Sequence, residues 1–124
     1  QYTWLNSFAK FKNIEKNFEI DYLGISNKNL QKEILNYSKK NNINKDTCIY
    51  GNTYAAAYLE KFSFSCFKGY SELDAAKIRP FFAYQNVRNL KRSGPKDCNL
   101  ILDENYKYSF SNQKIVVGKL WFCN

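Results

Sequence analysis

Hydrophobic and polar positions divide the chain into short strands and helices. Residues 18–22 alternate apolar and polar side chains and run into Gly24. Ser26 then opens a segment at 27–41 whose apolar residues recur on one helical face. This order predicts a strand, a tight turn and a Ser-capped helix, which together form the first half of a βαβ unit.

The same alternation of strands and helices continues through the middle of the chain. Short apolar runs predict buried strands, and polar caps before periodic segments predict helices. The predicted strands cover 46–50, 63–67 and 81–87, and the predicted helices cover 53–61 and 71–78, the second capped by Ser71.

The last third of the chain predicts a hairpin. Apolar runs at 99–102 and 114–122 are joined by a connection rich in Ser and Asn, too short for a crossover helix. The fold expected for these 124 residues is one α/β domain. It has a mainly parallel sheet flanked by helices, with a C-terminal antiparallel β-hairpin.

Composition adds a packed core and a basic surface. The chain is 44% hydrophobic and carries a formal net charge of +8. Its longest apolar run, at 54–59, is far shorter than the ~20 residues that span a bilayer, so we expect any membrane attachment to lie in a longer parent protein. The lysines are spread evenly except at 88–96, a loop with Arg88, Lys91, Arg92 and Lys96. Nucleic-acid binding, which requires cations clustered on one face among aromatics, is not indicated.

Candidate chemistry is limited by the absence of histidine. Ser-His-Asp and Cys-His nucleophilic sites are excluded, and Glu19 with Asp21 has the spacing of an ordinary solvated strand face. No Gly-rich phosphate loop and no C-x-x-C spacing occurs. We therefore predict no catalytic residue, metal site or cofactor.

A candidate ligand site lies at the ends of the first two predicted strands. Gly51, Asn52 and Thr53 place a helix N-terminus at the carboxyl end of the strand 46–50, where open α/β sheets bind ligands. Asp21 and Tyr22 end the preceding strand and would join them. The alternative is an ordinary turn between a strand and a helix.

The four cysteines, Cys48, Cys66, Cys98 and Cys123, allow two interpretations. They are either buried free thiols in a cytosolic protein or two disulfides in an extracytoplasmic one, and their spacing leaves both open.

Several motifs resemble a known family. The aromatic-Asn stretch at 1–6, the acidic strand ending Asp21-Tyr22-Leu23-Gly24 and the Ser-capped helix resemble the segment after the last membrane span of some bacterial glycosyltransferases. Those polytopic proteins are similar to dolichyl-phosphate-mannose-protein mannosyltransferases. Leu23 stands where the family motif has Trp. Weaker likenesses follow at DTCIYG (46–51), RPFFAYQNVRN (79–89), KDCNLIL and KLWFC.

The resemblance implies a non-catalytic domain on the extracytoplasmic (periplasmic) side of the membrane. Its parent would transfer a sugar from a polyprenyl-phosphate carrier, with the catalytic carboxylate in a loop among membrane helices that has no counterpart here. The domain would position an acceptor or stabilise the membrane-spanning part of the same polypeptide, and would be inactive alone. The cations of 88–96 would contact anionic lipid headgroups. The alternatives are a small basic module that binds nucleic acid or anionic polymer, and a small enzyme that uses carboxylates.

The resemblance also favours oxidised cysteines. In an antiparallel hairpin that turns between 110 and 111, Cys98 and Cys123 lie opposite each other at a separation that a disulfide spans. A bulge at 103–105 would shift this register by one residue. Cys48 and Cys66 remain as a second pair, on strands that need not be neighbours.

Overall fold

The computed structural model describes residues 25–51, 57–86, 90, 92–107 and 114–124. The predicted strand at 18–22 and the motif that carries most of the family resemblance lie outside these ranges. So do several predicted site residues, namely Glu19, Asp21, Tyr22, Asn52, Thr53, Arg88 and Lys91.

The described residues form one long helix, one short helix, a 3-10 helix and five strands. In chain order these are α1 (Ile25–Asn41), β1 (Cys48–Gly51), α2 (Ala57–Glu60), β2 (Phe67–Gly69), the 3-10 helix (Tyr70–Ala75), β3 (Phe81–Asn86), β4 (Asn99–Lys107) and β5 (Lys114–Cys123). The prediction of α1 is confirmed, and Lys39 and Lys40 in its last turn complement the helix dipole. The 3-10 helix is shorter than the helix predicted there. It begins after Gly69, whose N–H donates to Glu72 Oε1 at 2.8 Å, so Ser71 is not its cap.

The sheet is mixed, with strand order β2-β1-β3-β5-β4. β1 pairs in parallel with β2 and β3, whereas β5 pairs antiparallel with β3 and β4. The prediction of a mainly parallel sheet is therefore wrong. The physical reason is that the second strand of the hairpin, β5, lies inside the sheet between β3 and β4. It forms two antiparallel strand pairs, which equal the two parallel pairs in number.

The predicted hairpin is confirmed. Asn99 pairs with Phe122 at one end and Lys107 with Lys114 at the other, which is the register that places Cys98 opposite Cys123. Between these ends the register shifts after Leu100 and shifts back after Glu104. The bulge anticipated near 103–105 is thus present, and a compensating shift preserves the overall alignment.

One face of the sheet, here called the helix face, is covered by α1. Its core contains side chains of α1 and alternate residues of the central strands, namely Leu30, Ile34, Leu35, Ile49, Phe82, Tyr84, Leu120 and Phe122. Tyr37 of α1 packs edge-on against Phe82, with ring centroids 6.0 Å apart. Full burial of one large apolar side chain in this core stabilises the folded state by about 1.5–3 kcal/mol relative to leaving it exposed. No helix in the described ranges has the length and apolar character needed to cross a membrane.

The opposite face, here called the cavity face, carries the intervening residues. Its core consists of Tyr50, Tyr70, Phe81, Ala83 and Cys123. Two segments cover this face in place of a long helix. One is the 3-10 helix, and the other is the segment of residues 92–98, which is here called the cavity loop. Gly94 of this loop lies against the indole of Trp121, where an added Cβ would be 2.6 Å from Cζ2. Only glycine lets the loop pass this close to the sheet.

Two disulfide bonds, Cys48–Cys66 and Cys98–Cys123, lie in a row at one end of the sheet. Cys48 is opposite Phe81 of β3, and Phe81 is opposite Cys123. Each bond joins an edge of the sheet to its inner neighbour: β2 to β1 on one side, and β4 to β5 on the other. The predicted Cys98–Cys123 bond is present, and so is Cys48–Cys66, because β1 and β2 are neighbours.

Candidate functional site

A cavity of about 620 Å³ opens on the cavity face between the 3-10 helix and the cavity loop. This volume is typical of small-ligand sites, which measure ~300–1,000 Å³. Apolar groups of Leu73, Ala76, Phe81 and Pro95 form part of the wall. The cavity therefore offers both an apolar surface and the charged side chains described next.

The charged lining is predominantly positive. Arg79, Arg92 and Lys96 line the cavity, and among the described lining residues Asp74 is the one with a side-chain carboxylate. The loop cluster predicted from sequence thus contributes Arg92 and Lys96 to a concave wall, together with Arg79, which sequence analysis did not select. All three cationic side chains belong to exposed residues.

Arg79 holds one end of the cavity loop. Its Nη1 donates to the main-chain oxygens of Asp97 at 3.2 Å and Asn124 at 2.9 Å, and its Nη2 donates to that of Lys96 at 3.4 Å. The guanidinium carbon also lies 5.6 Å from the centroid of the Phe81 ring. A planar guanidinium with fixed donors suits such a multiple contact, which the point charge of a lysine cannot reproduce.

The other end of the cavity loop is held by side chains of the sheet and of the 3-10 helix. Gln85 Nε2 donates to the main-chain oxygen of Arg92 at 3.0 Å, and Gln85 Oε1 accepts from Trp121 Nε1 at 3.3 Å. Tyr70 Oη donates to the main-chain oxygen of Ser93 at 3.2 Å. With the Cys98 disulfide, these contacts fix the main chain of the loop along its length.

Tyr70 is an uncharged donor in the cavity wall. Burial raises the pKa of its phenol above the ordinary value of 10.0, and the negative charge of Asp74 raises it further. The positive charge of Arg92 acts in the opposite direction and is the smallest of the three effects. The phenol stays protonated at neutral pH and keeps its hydrogen bond to Ser93.

Gly51, predicted as part of a ligand site, has a packing role. It is buried at the end of β1, where an added Cβ would overlap the ring of Tyr84 on the neighbouring strand. Glycine is thus required here by the close approach of an aromatic side chain. The predicted role of this residue in ligand binding stays a prediction, because its proposed partners Asp21, Tyr22, Asn52 and Thr53 lie outside the described residues.

Sequence reasoning missed Arg79, Tyr70 and Asp74. Arg79 stands before Pro80 in a segment interpreted only as the start of a strand, and Tyr70 and Asp74 belong to a short helix without a motif. All four cysteines are in disulfides. Within the described ranges, no group of three or more Cys, Asp or Glu residues has the arrangement of a metal site.

Comparisons with protein-family models, curated proteins and solved structures found no match for this chain. The resemblance to membrane glycosyltransferases therefore rests on the sequence motifs alone.

Proposed function

We propose that this chain is a non-catalytic extracytoplasmic domain of a polytopic membrane glycosyltransferase that uses a polyprenyl-phosphate sugar. In this proposal the domain positions the acceptor or stabilises the membrane-spanning part of the same polypeptide. The observation that carries the location is the pair of disulfide bonds.

The disulfides support an oxidising compartment because thiols in the cytosol are kept reduced. Each bond joins a cysteine at the end of an inner strand, Cys48 or Cys123, to the cysteine just before the paired edge strand, Cys66 or Cys98, so their formation requires no rearrangement of the sheet. Fixed bonds at both edges of a sheet are typical of secreted and periplasmic domains. They are not typical of cytosolic proteins with buried thiols.

The glycosyltransferase part of the proposal draws on the motifs at 1–51 and on the hairpin. The family's closing pair of strands carries a cysteine on each, and KDCNLIL and KLWFC lie in a paired hairpin with Cys98 bonded to Cys123. This arrangement fits the resemblance.

A binding role, not a catalytic one, suits the cavity. Acid–base chemistry at a glycosidic bond uses two carboxylates or an equivalent pair of titratable groups at defined separation. Of the described residues in the cavity lining, only Asp74 has a side-chain carboxylate. Its cations and its apolar wall are groups that hold a ligand in place.

The decisive test compares the full-length protein in its membrane with residues 1–124 alone. The gene upstream of Gln1 is expected to encode multiple hydrophobic spans, and the full-length protein to transfer sugar from a polyprenyl-phosphate donor, with none transferred by residues 1–124. A membrane-impermeant thiol reagent applied to intact cells after reduction should label the partly exposed Cys48, Cys66 and Cys98. Turnover by the isolated chain, or an upstream region without spans, would refute the proposal.

The alternative, a basic module for nucleic acid or anionic polymer, draws on the net charge of +8. It predicts saturable binding of heparin or single-stranded RNA by residues 1–124, with an affinity that falls steeply with salt.

A further inference from the structure

The three cations of the cavity differ in how they are held, and this difference indicates a recognition site. The Arg79 guanidinium has five N–H groups, of which three are directed at main-chain oxygens of the loop and the chain end. For the other two N–H groups, the described residues provide no recorded acceptor. Because the protein already fixes the guanidinium, a ligand that binds it loses little additional side-chain entropy.

The main chain at Arg92 and at Lys96 is held in place by hydrogen bonds, while the side chains of both residues are exposed to solvent. The main-chain oxygen of Arg92 accepts from Gln85 Nε2, and that of Lys96 accepts from Arg79 Nη2. Both residues are exposed, and Gly94 between them is held against Trp121. The loop therefore presents two cations at set positions of one wall.

Among the described residues that line the cavity, the side-chain charges are predominantly positive. Three cations line it with one side-chain carboxylate, Asp74, which acts on the Tyr70 phenol. A concave site with excess positive charge and several N–H donors favours a compact anion with several acceptor oxygens. A phosphate monoester meets this description better than a single carboxylate, since it carries more charge and presents three acceptor oxygens.

We propose that the cavity binds a phosphate group, with Arg79, Arg92 and Lys96 as its cationic contacts. The apolar wall of Leu73, Ala76 and Phe81 takes the uncharged part of the ligand. The phosphate comes either from a membrane lipid headgroup or from a free phosphorylated compound. This site holds whether or not the parent protein is a glycosyltransferase.

The proposal is tested on residues 1–124 with both disulfides intact. In the first arm, glycerol 3-phosphate is titrated while amide chemical shifts are recorded by NMR, with glycerol as the uncharged control ligand. Saturable shifts are expected at Tyr70, Gly94, Lys96 and Asp97. Shifts elsewhere, or equal shifts with glycerol, would overturn the proposal.

Charge-removal variants separate the site from general attraction to a basic protein. Arg92→Gln and Lys96→Gln are each expected to weaken binding about five-fold, corresponding to roughly 1 kcal/mol per cation. Lys32→Gln is the matched control, because it removes one exposed charge from α1 on the other face of the sheet. An equal loss of affinity in the control and in the two cavity variants would overturn the proposal.

A second arm identifies the source of the phosphate. Vesicles of phosphatidylcholine with and without phosphatidic acid, whose headgroup is a phosphate monoester, are floated with the wild type, the cavity variants and Lys32→Gln. Binding to the anionic vesicles that is lost in the cavity variants assigns the lipid headgroup. Binding of glycerol 3-phosphate without vesicle binding assigns a free phosphate compound, and binding in neither arm refutes the site.

Discussion

The guanidinium of Arg79 lies 2.9 Å from the main-chain oxygen of Asn124 and so joins the residues that flank two paired strands. Arg79 comes just before β3, and Asn124 comes just after β5. The two strands pair from Phe81 opposite Cys123 onward, which places this contact at the end of the sheet that carries the disulfides. Arg79 therefore supports the sheet and the cavity loop with the same group.

The first prediction concerns this contact. Arg79→Gln is expected to lower the free energy of unfolding by about 1–2 kcal/mol, because hydrogen bonds from a charged group are lost at an exposed position. Arg79→Lys should lose a similar amount, since an ammonium cannot bind three carbonyls in this geometry. Urea unfolding measures both. Lys77→Gln, which changes an exposed neighbouring cation, should differ from wild type by less than about 0.5 kcal/mol.

The second prediction concerns the disulfides. Replacing Cys48 and Cys66 together by Ala should lower the free energy of unfolding by about 3 kcal/mol, since the bond closes a loop in the unfolded chain. Replacing Cys98 and Cys123 should cost at least as much, because Cys123 is fully buried in the core of the cavity face.

Peptide mapping without reductant checks the connectivity. Cys48 should be recovered joined to Cys66, and Cys98 joined to Cys123. Unfolding curves that do not change when dithiothreitol is added would contradict a stabilising role for either bond.

The third prediction concerns Gly51. Gly51→Ala forces a methyl group against the Tyr84 ring and should cost about 1–3 kcal/mol through overpacking. In a Tyr84→Leu background the additional cost of Gly51→Ala should be smaller, which a double-mutant cycle by thermal unfolding detects. Gly69→Ala is the control, because the nearest atom to its added Cβ is Glu72 Oε1 at 3.4 Å. Equal losses at Gly51 and Gly69 would show that the Tyr84 ring is not the cause.

The fourth prediction concerns pH. The pKa of the Tyr70 phenol is raised in the folded protein. The contribution of this group to the free energy of unfolding is therefore constant at pH values below its unfolded pKa of about 10. As pH rises further, the unfolded chain releases this proton first, and stability falls. Tyr70→Phe removes this contribution and also costs about 1 kcal/mol for the hydrogen bond to Ser93.

Unfolding in urea between about pH 8 and 11 measures the difference between wild type and Tyr70→Phe. The advantage of the wild type should shrink above about pH 10. A difference that stays constant across this range would show that burial and Asp74 do not hold the proton on Tyr70.

Elements with a strong local pattern were predicted well. The apolar stripe of 27–41 predicted α1, and the runs at 81–87 and 114–122 predicted β3 and β5 to within a residue at most. The hairpin register was predicted by placing Cys98 opposite Cys123, which puts the turn between 110 and 111 in a stretch rich in Ser and Asn, and the observed pairs at both ends of the hairpin have this register.

The order of the strands and the cavity were not accessible in the same way. The local sequence of β5 does not indicate which strand pairs with its second edge. The pairing with β3 was therefore not predicted, and neither was the mixed character of the sheet. Arg79 and Tyr70 come from segments whose local patterns give no functional signal. They meet Arg92 only because the 3-10 helix and the cavity loop fold over the same face.

The disulfide row has a consequence for how the protein matures. The bonds join cysteines that are consecutive along the chain, the first with the second and the third with the fourth. Four cysteines allow three connectivities, and this is the one reached when each new cysteine is joined to the last unpaired one. In a chain exported from its amino terminus, a thiol oxidase acting during translocation generates the native pairs directly. If the domain is exported as proposed, its maturation would require an oxidant but no isomerase, because no wrong bond would have to be exchanged.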